Sequence, residues 1–377
     1  MSAYITATGR FLPGDPVPNN EIEDYLGSVG RASSALRDRT LDNCGIKTRY
    51  YAIDKKQQTV VSNAEMAAEA VRTAVERAGL GGDDIELLTA ATTVGDVIAP
   101  GFASMVHGEL GYGPLEIATA QGICSSGMMA LKNAYLQVAI GEKRTAVTVA
   151  SELASRGLKS SRYEELDSDR GVIPMEAAFL RYMLSDGAGA AVIQDAPAAS
   201  GISLRIDWIT LTSYANTEKT CMFIGTGDST VVKSWMDYPA TADAAADGAL
   251  HLRQRLTMLP HLVRVGVDEY ERLCGMGKFD PEQVTWFPAH YSSERMKTIL
   301  LDELERRGIW AGRPEMWFSN LTRVGNIGSA SIFVILDEMM TEGMIKPGDT
   351  LLCMVPESGR FAVSFMHLTA VPAPEAG

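Results

Sequence analysis

The chain has 377 residues, of which 46% are apolar and 21% charged, so length and composition predict a globular protein with two domains or one two-part domain. Its 34 basic and 47 acidic residues give a net charge of −13, and the basic residues form no cluster. Such a chain is a poor match for nucleic acid, which needs concentrated positive charge, although a local basic patch could still receive an acidic carrier protein.

Helix and strand patterns alternate along the first half of the chain. The segment 62–80 opens with a capping box, Ser62 to Glu65, and carries apolar residues at helical spacing, which predicts a helix. A second helical pattern follows residue 124. Four apolar runs are typical of buried strands: 84–93, 114–120, 145–153 and 187–194.

The second half repeats this order of elements. A long helical pattern at about 245–273, with Pro260 inside it, comes first. The predicted strands that follow cover 283–290, 315–320, 349–358 and 360–371, and the predicted helices between them cover 293–308 and 329–343. Strands that alternate with helices predict mostly parallel sheets with helices packed on them.

This repeated order predicts an α/β fold built from a duplicated unit. We place the split near residue 200, with an N-terminal half at 1–200 and a C-terminal half at 201–377. The stretch of about 206–250 is less regular, and we expect it to form a lid or wall over a pocket at the junction.

The N-terminus and the cysteines indicate where the protein works. The opening "MSAYITATGRFLPGD" has no charged segment followed by an apolar run and a cleavage site, so we expect no secretory signal. No apolar stretch reaches the roughly 18 residues of a membrane span. The five cysteines are scattered and never in CxxC spacing, which argues against structural zinc and a disulfide framework. We expect a cytoplasmic protein with reduced thiols, no metal and no membrane contact.

Three polar side chains fall at comparable points of the two halves. Cys124 follows a predicted strand and starts a helix, His290 ends a strand, and Asn326 lies just before a helix. In open α/β sheets, sites form beyond the carboxyl ends of the strands. A helix N-terminus or an imidazole can lower the pKa of a thiol and make it a nucleophile. A histidine and an asparagine amide can both donate to a developing oxyanion.

Each of these residues also has a structural interpretation. A lone cysteine is most often a small buried apolar residue, a strand-end histidine is usually satisfied within the fold, and an asparagine between glycines is usually a turn residue. Glu152 and Arg156, at the end of another predicted strand, are about equally well explained as a surface ion pair. The matching positions of thiol, imidazole and amide in the two halves favour a catalytic role for those three.

Several segments resemble one family over essentially the whole chain. The segments are "CGIKTRYYA" (44–52), "TAATTVGDVIAP" (89–100), "GICSSGMMAL" (122–131), "LSDGAGAAVI" (184–193), "FPAHYSSERM" (287–296) and "VGNIGSASI" (324–332). They resemble the β-ketoacyl-acyl-carrier-protein synthase III-like enzymes of the thiolase superfamily. The resemblance implies a thiolase-like α/β fold with a duplicated, five-layered αβαβα core, and a homodimer.

The resemblance also implies a two-step mechanism. Cys124 corresponds to the acylated cysteine, which takes an acyl group from a thioester of coenzyme A or acyl carrier protein. His290 and Asn326 correspond to the residues that stabilise the enolate left when a malonyl-type extender loses CO2. The enolate attacks the acyl group and gives a β-keto product. No cofactor is implied beyond the thioester substrates.

The chain departs from the family pattern at several positions around the thioester carrier. Ser293 replaces the asparagine of the histidine motif, whereas Arg295, a candidate contact for the carrier arm, is retained. Asn43 stands where the family usually has an arginine that holds the nucleotide of coenzyme A. Arg156 matches another basic contact of that site. The missing arginine at Asn43 weakens the case for a coenzyme A donor.

Other departures concern the acyl pocket and the oxyanion hole. Ala99 stands where some members have a phenylalanine at the pocket's end, which predicts a roomier pocket. The segment "VPESGRF" (355–361) replaces a glycine-rich loop that donates to the oxyanion, and backbone N–H groups near Glu357 or Ser358 are candidates for that role. Glu152 and Glu357 are candidates for an extra base in a second carbon–carbon bond.

These features predict a ketosynthase in fatty-acid-like or polyketide natural-product biosynthesis. The alternatives are an acyltransferase of the same fold that moves the acyl group to an alcohol or amine, and a silent subunit that shapes an active partner. The complete set of cysteine, histidine and asparagine argues against the silent subunit. The acyl chain, the extender and the choice between coenzyme A and carrier protein stay open.

Overall fold

A computed structural model describes residues 1–29, 33–164, 174–228, 230–309 and 314–374. The strands are β1 (Tyr4–Phe11), β2 (Val17–Pro18), β3 (Thr48–Arg49), β4 (Leu87–Thr92), β5 (Glu116–Gln121), β6 (Thr145–Glu152), β7 (Gly187–Gln194), β8 (Ile202–Ser213), β9 (Met222–Ile224), β10 (Thr226–Gly227), β11 (Val232–Lys233), β12 (Leu252–Gln254), β13 (Phe287–Pro288), β14 (Trp317–Phe318), β15 (Thr350–Glu357) and β16 (Ala362–Pro372). The helices are α1 (Ile22–Leu26), α2 (Ser33–Cys44), α3 (Asn63–Arg77), α4 (Phe102–Leu110), α5 (Ser126–Ala139), α6 (Ser155–Leu158), α7 (Met175–Met183), α8 (Thr241–Ala246), α9 (Leu259–Gly275), α10 (Glu294–Arg306), α11 (Leu321–Val324) and α12 (Ser331–Thr341).

The two halves share one strand order. In the N-terminal half the order is β5-β4-β6-β7-β1, where β4 runs parallel to both β5 and β6, and β7 runs antiparallel to both β6 and β1. In the C-terminal half the order is β14-β13-β15-β16-β8, with the same sequence of parallel and antiparallel neighbours. Strands β13 and β15 meet only through the bridges Trp286–Leu351 and Ala289–Met354. The duplication predicted from the order of elements is therefore present in the strand pairing.

Helices cover both faces of each sheet and give five layers. Helices α3 and α4 pack on the outer face of the N-terminal sheet, α5 and α12 lie between the sheets, and α9 and α10 form the outer layer of the other half. Both faces of a sheet need this cover because alternate side chains of a strand point to opposite faces. Along β15, Leu351, Cys353 and Val355 join the central core, whereas Leu352 and Met354 join the core beneath α9. This is the α/β, thiolase-like fold that the sequence predicted, but the expectation of mostly parallel sheets was wrong, since two of the four neighbouring pairs in each half are antiparallel. Strands β15 and β16, for example, are joined by the short turn 358–361, which permits only antiparallel pairing.

Two local predictions differ from the structure. The helix expected at about 245–273 begins only at Leu259, because Pro260 lacks an N–H and fits the first helical turn; α8 and β12 precede it. The irregular stretch begins after Ser213, since β8 continues that far along β16. The capping box is confirmed: the Glu65 N–H donates to Ser62 Oγ at 3.1 Å, and the Ser62 N–H donates to the Glu65 carboxylate at 2.7 Å.

No helix within the described ranges is both long and apolar enough to cross a membrane.

Candidate active site

Cys124 lies in the turn between β5 and α5. The turn is held by Ser126, whose N–H and Oγ both donate to the Ile123 carbonyl, at 3.3 and 2.8 Å. Gly127 allows α5 to approach the start of α12 closely, because a Cβ there would lie 2.4 Å from the Ser329 carbonyl oxygen. The thiol is partly exposed to a cavity, and its position depends on this tight packing.

His290 follows β13 and belongs to the C-terminal sheet. Its backbone N–H donates to the Met354 carbonyl of β15 at 3.0 Å, and this bond continues the parallel pairing of the two strands. The side chain is buried, and burial lowers the pKa of His290 to about 4. The imidazole is therefore neutral at pH 7 and can accept a proton.

Asn326 is held in a loop between α11 and α12. Its backbone N–H donates to the Met183 carbonyl at 3.1 Å, and its backbone carbonyl accepts from the Ser185 N–H at 2.9 Å. The side-chain oxygen accepts from the Gly328 N–H at 2.9 Å. Because the oxygen is engaged, the amide N–H2 is the group left to donate to a ligand.

One cavity of about 450 Å³ brings Cys124, His290 and Asn326 together. Its size falls within the range of small-molecule sites. Most of its wall is apolar and comes from both halves of the fold, including Leu158, Leu180, Leu184, Leu259, Leu262 and Val263. The cavity thus combines a reactive set of polar groups with a surface suited to an alkyl chain.

The electrostatics around Cys124 differ from the sequence-based expectation. We expected the helix N-terminus or an imidazole to lower the pKa of the thiol. Instead, burial and the negative charges of Glu357 and Glu152 raise the pKa of Cys124 above its usual range. The thiol is therefore protonated at pH 7, and a proton acceptor is needed when it attacks.

Glu152 lines the same cavity and ties two loops together. Its Oε1 accepts from Thr93 Oγ1 at 2.8 Å and from Ser329 Oγ at 2.6 Å, and the N–H groups of these two residues also point to it, at 3.1 and 3.3 Å. Burial raises the pKa of Glu152 to about 7, because these hydrogen bonds offset only part of the loss of solvation. The carboxyl group can therefore exchange a proton near neutral pH.

Glu357 lies at the end of β15 and reaches the nucleophile turn. Its Oε2 accepts from Ser125 Oγ at 2.7 Å and from the Ser125 N–H at 3.1 Å. Its neighbour Ser358 lines the cavity, and Ser358 Oγ accepts from Gln254 Nε2 at 2.9 Å. The segment 355–361 thus carries a buried carboxylate that contacts the residue after Cys124.

Arg156 lines the cavity, but its guanidinium is engaged within the chain. It donates to Asp96 Oδ1 at 3.0 Å and to the Gly95 carbonyl at 2.9 Å. Asp96 also accepts from the N–H groups of Asn63 and Ala64, at 3.0 and 2.9 Å, at the start of α3. The arginine therefore fixes the loop after β4 against this helix.

The remaining site candidates lie away from the cavity wall. Ser293 is the N-cap of α10, where its Oγ accepts from the Met296 N–H at 3.4 Å. Arg295 is exposed, and its nearest polar contact is Asn43 Oδ1 at 3.4 Å. Ala99 is also exposed. None of these three is among the residues that line the cavity in the described ranges.

Sequence reasoning named no individual residue of the segment after β8, yet several of them line the cavity. Met222, Ile224, Trp235 and Leu250 form part of its wall, as does His251. Their concentration of apolar side chains in an irregular stretch was the available signal. In the part of the chain that the structure describes, no three His, Cys, Asp or Glu side chains cluster as metal ligands would.

Comparisons with known proteins agree with this architecture. The family model for the C-terminal part of 3-oxoacyl-[acyl-carrier-protein] synthase III matches residues 276–362. The β-ketoacyl-[acyl-carrier-protein] synthase III of Rhodobacter capsulatus is 25% identical over 356 residues, which cover 93% of this chain and 94% of the relative. The corresponding protein of Bordetella petrii is 25% identical over 350 residues, which cover 93% of each chain.

Solved structures show the same fold over nearly the whole chain. "AbyA1 - tetronic acid condensing enzyme" has a TM-score of 0.77 at 18% identity, covering 98% of this chain and 100% of that one. The 3-oxoacyl-[acyl-carrier-protein] synthase III of Aquifex aeolicus has a TM-score of 0.72 at 20% identity, covering 98% and 100%. The cerulenin-bound OleA of Xanthomonas campestris has a TM-score of 0.74 at 19% identity, covering 98% and 97%.

Proposed function

We propose that the chain is a β-ketoacyl-acyl-carrier-protein synthase III-like enzyme of the thiolase superfamily. In this proposal it acylates Cys124 and condenses the acyl group with a malonyl- or β-ketoacyl-type thioester. The observation that carries this proposal is the convergence of Cys124, His290 and Asn326 on one largely apolar cavity. A thiol supplies a nucleophile, and a neutral imidazole and an amide supply two donors for an enolate oxygen.

The acylation step uses Cys124 and His290. The thiol proton passes to the imidazole as sulfur bonds to the thioester carbonyl carbon, and the imidazolium then protonates the departing carrier thiolate. His290 is suited to this because its pKa of about 4 keeps it neutral beforehand. The apolar wall of the cavity receives the alkyl part of the acyl group.

The condensation step uses His290 and Asn326. A malonyl-type thioester loses CO2, and the electron pair of the broken bond forms an enolate whose oxygen accepts hydrogen bonds from the imidazole and the amide. The enolate carbon attacks the acyl carbonyl, the carbon–sulfur bond to Cys124 breaks, and the Cys124 thiolate takes a proton from solvent. No bound cofactor is required for either step.

We infer that the acyl group is delivered by a carrier protein and not by coenzyme A. Arg156 is occupied by Asp96, and Asn43 offers no cation where the family has an arginine. The cationic contacts expected for a nucleotide are thus reduced. A structure of the same fold is described as a tetronic acid condensing enzyme, so the fold is compatible with condensation in natural-product biosynthesis.

A homodimer is part of this proposal. Strand β5 is the free edge of its sheet, and its residues are exposed along most of their length, including Ile117 at 40%. The neighbouring loop exposes Ile98 at 82%. An edge strand with apolar side chains exposes unpaired backbone groups, which a second copy of β5 would pair.

A second candidate is acyl transfer to an alcohol or amine. The observation in its favour is Glu152, a cavity-lining carboxyl group with a pKa of about 7 that could take the proton of an attacking hydroxyl or amine. Release of CO2 separates the two reactions, because transfer to a heteroatom releases none.

The test begins with intact-protein mass spectrometry after incubation with acyl-coenzyme A and acyl-carrier thioesters of increasing length. We expect an acyl adduct on the wild-type protein, its retention in Cys274→Ala, and its loss in Cys124→Ala. Cys274 is a suitable control because it is also partly exposed but does not line the cavity.

The acylated protein is then mixed with malonyl-carrier protein, and CO2 and the β-keto product are measured. We expect both to form, and to fall by a factor of about 10² or more in Asn326→Ala, since one oxyanion donor contributes at least that much. An adduct without CO2 would favour heteroatom transfer, and no adduct with any donor would favour a silent subunit.

A further inference from the structure

The hydrogen bonds of Glu357 connect two distant parts of the chain at the nucleophile. Both donors of Ser125, the residue after Cys124, converge on Glu357 Oε2, at 2.7 and 3.1 Å. The two residues are 232 positions apart in sequence, so the contact exists only in the folded protein. Two hydrogen bonds to one carboxylate oxygen fix the turn that carries the thiol.

The charge of Glu357 is enclosed by the fold. The side chain is 9% exposed, and no lysine, arginine or histidine in the described ranges forms an ion pair with it. Glycines surround it: a Cβ on Gly359 would lie 2.8 Å from Oε1, and a Cβ on Gly122 would lie 3.6 Å from Oε2. The small residues make room for a carboxylate at a place where its charge is weakly screened.

The effect of the Glu357 charge on the Cys124 thiol depends on the other titratable groups near the thiol. Glu152 at the end of β6 adds a second carboxyl group, and His290 after β13 is neutral at pH 7. Arg156 is paired with Asp96, and Arg162 lines the same cavity. Burial and the two carboxylates act in the same direction and disfavour a thiolate.

We propose that Glu357 is a positioning residue that fixes Cys124 through Ser125 and keeps it a neutral thiol until a thioester is bound. Deprotonation then occurs only within the acylation step, when the thiol proton moves to His290 Nδ1 or Nε2 as the carbon–sulfur bond forms. A neutral thiol also reacts slowly with oxidants and adventitious electrophiles, because the thiolate is the reactive form. The inference rests on the proposed function only in taking Cys124 as the nucleophile.

The test is the pH dependence of Cys124 alkylation by iodoacetamide, followed by mass spectrometry of the Cys124 peptide. In the wild-type protein the midpoint should lie above the pH of about 8.5 at which a free thiol titrates. Glu357→Gln keeps an oxygen for Ser125 but removes the charge, and its midpoint should fall by about one pH unit or more. Ser125→Ala keeps the charge and should not lower the midpoint.

Three results would overturn the inference. A wild-type midpoint at or below the pH of about 8.5 of a free thiol would show that the fold does not hold Cys124 as a neutral thiol, and this measurement does not depend on the folding of any variant. An unchanged or higher midpoint in Glu357→Gln would show that the charge does not control the thiol. Equal downward shifts in Glu357→Gln and Ser125→Ala would indicate only a loosened turn.

Alkylation needs no acyl thioester, so the readout is independent of the proposed reaction. A protein that shows the expected alkylation profile but forms no acyl adduct would contradict the proposed function and leave the role of Glu357 standing. If the wild-type protein forms the acyl adduct but the alkylation profile of Glu357→Gln is not shifted, the proposed function stands and the role of Glu357 is contradicted.

Discussion

Replacing Glu152 by glutamine should change how stability depends on pH. Glutamine keeps an oxygen that can accept from Thr93 and Ser329, but it cannot ionise. In the wild-type protein the folded-state pKa of Glu152 is raised from 4.5 to about 7. A carboxyl group with a raised pKa contributes stability that is present below its unfolded pKa and lost as pH rises through its folded pKa. The wild type should therefore lose stability relative to Glu152→Gln as the pH increases.

The size of the effect follows from the shift. A change from 4.5 to about 7 corresponds to about 3 kcal/mol when Glu152 is fully ionised, since one pKa unit is about 1.4 kcal/mol. Of this, about 2.5 kcal/mol falls between pH 5 and pH 8.5. Other groups that titrate, including His290, are present in both proteins, and their contributions cancel in the difference.

Urea unfolding at pH 5, 7 and 8.5 measures this difference, at one protein concentration because a dimer would make stability depend on it. Glu305→Gln, at an exposed position, is the matched control for the exchange of a carboxylate for an amide. Any pH-independent effect of the new amide on the Thr93 N–H shifts all three values alike. A difference between wild type and Glu152→Gln that stays constant, or that grows in favour of the wild type at high pH, would refute the reasoning.

Two further predictions concern packing and assembly. Gly127→Ala places a Cβ 2.4 Å from the Ser329 carbonyl and 2.9 Å from the Phe333 ring, so it should lower the free energy of unfolding by about 1–3 kcal/mol. Gly108→Ala, in a helix with open space around it, should leave stability equal or slightly higher in the same urea titration; equal losses in both would contradict the packing argument. Ile117→Lys should convert a dimer into a monomer in light scattering, because it puts a charge on the exposed edge strand; an unchanged dimer would place the interface elsewhere.

The sequence alone was sufficient for features that depend on local patterns. The capping box at Ser62 and the strand at 187–194 occur in the structure as expected, because a cap joins residues three positions apart and a short, continuous apolar run is the local signal of a buried strand. The long helix at about 245–273 was wrong at its start, since Pro260 indicated a first turn and not a helix interior. Cys124, His290 and Asn326 were named from strand ends and motifs, and the structure lines one cavity with all three.

Tertiary structure decided how the site works. Glu357 reaches Ser125, and Asp96 engages Arg156, through contacts between residues that are 232 and 60 positions apart. Burial, followed by the charge of Glu357, raises the pKa of the Cys124 thiol where the sequence suggested a lowered one, and Asp96 occupies an arginine that the motifs had assigned to a ligand. Burial is also a product of tertiary structure. It lowers the pKa of His290 and raises the pKa of Glu152 because both sheets and their helices exclude water from these side chains. Local sequence determines which groups a chain carries, whereas their protonation depends on the distances and the dielectric that packing creates.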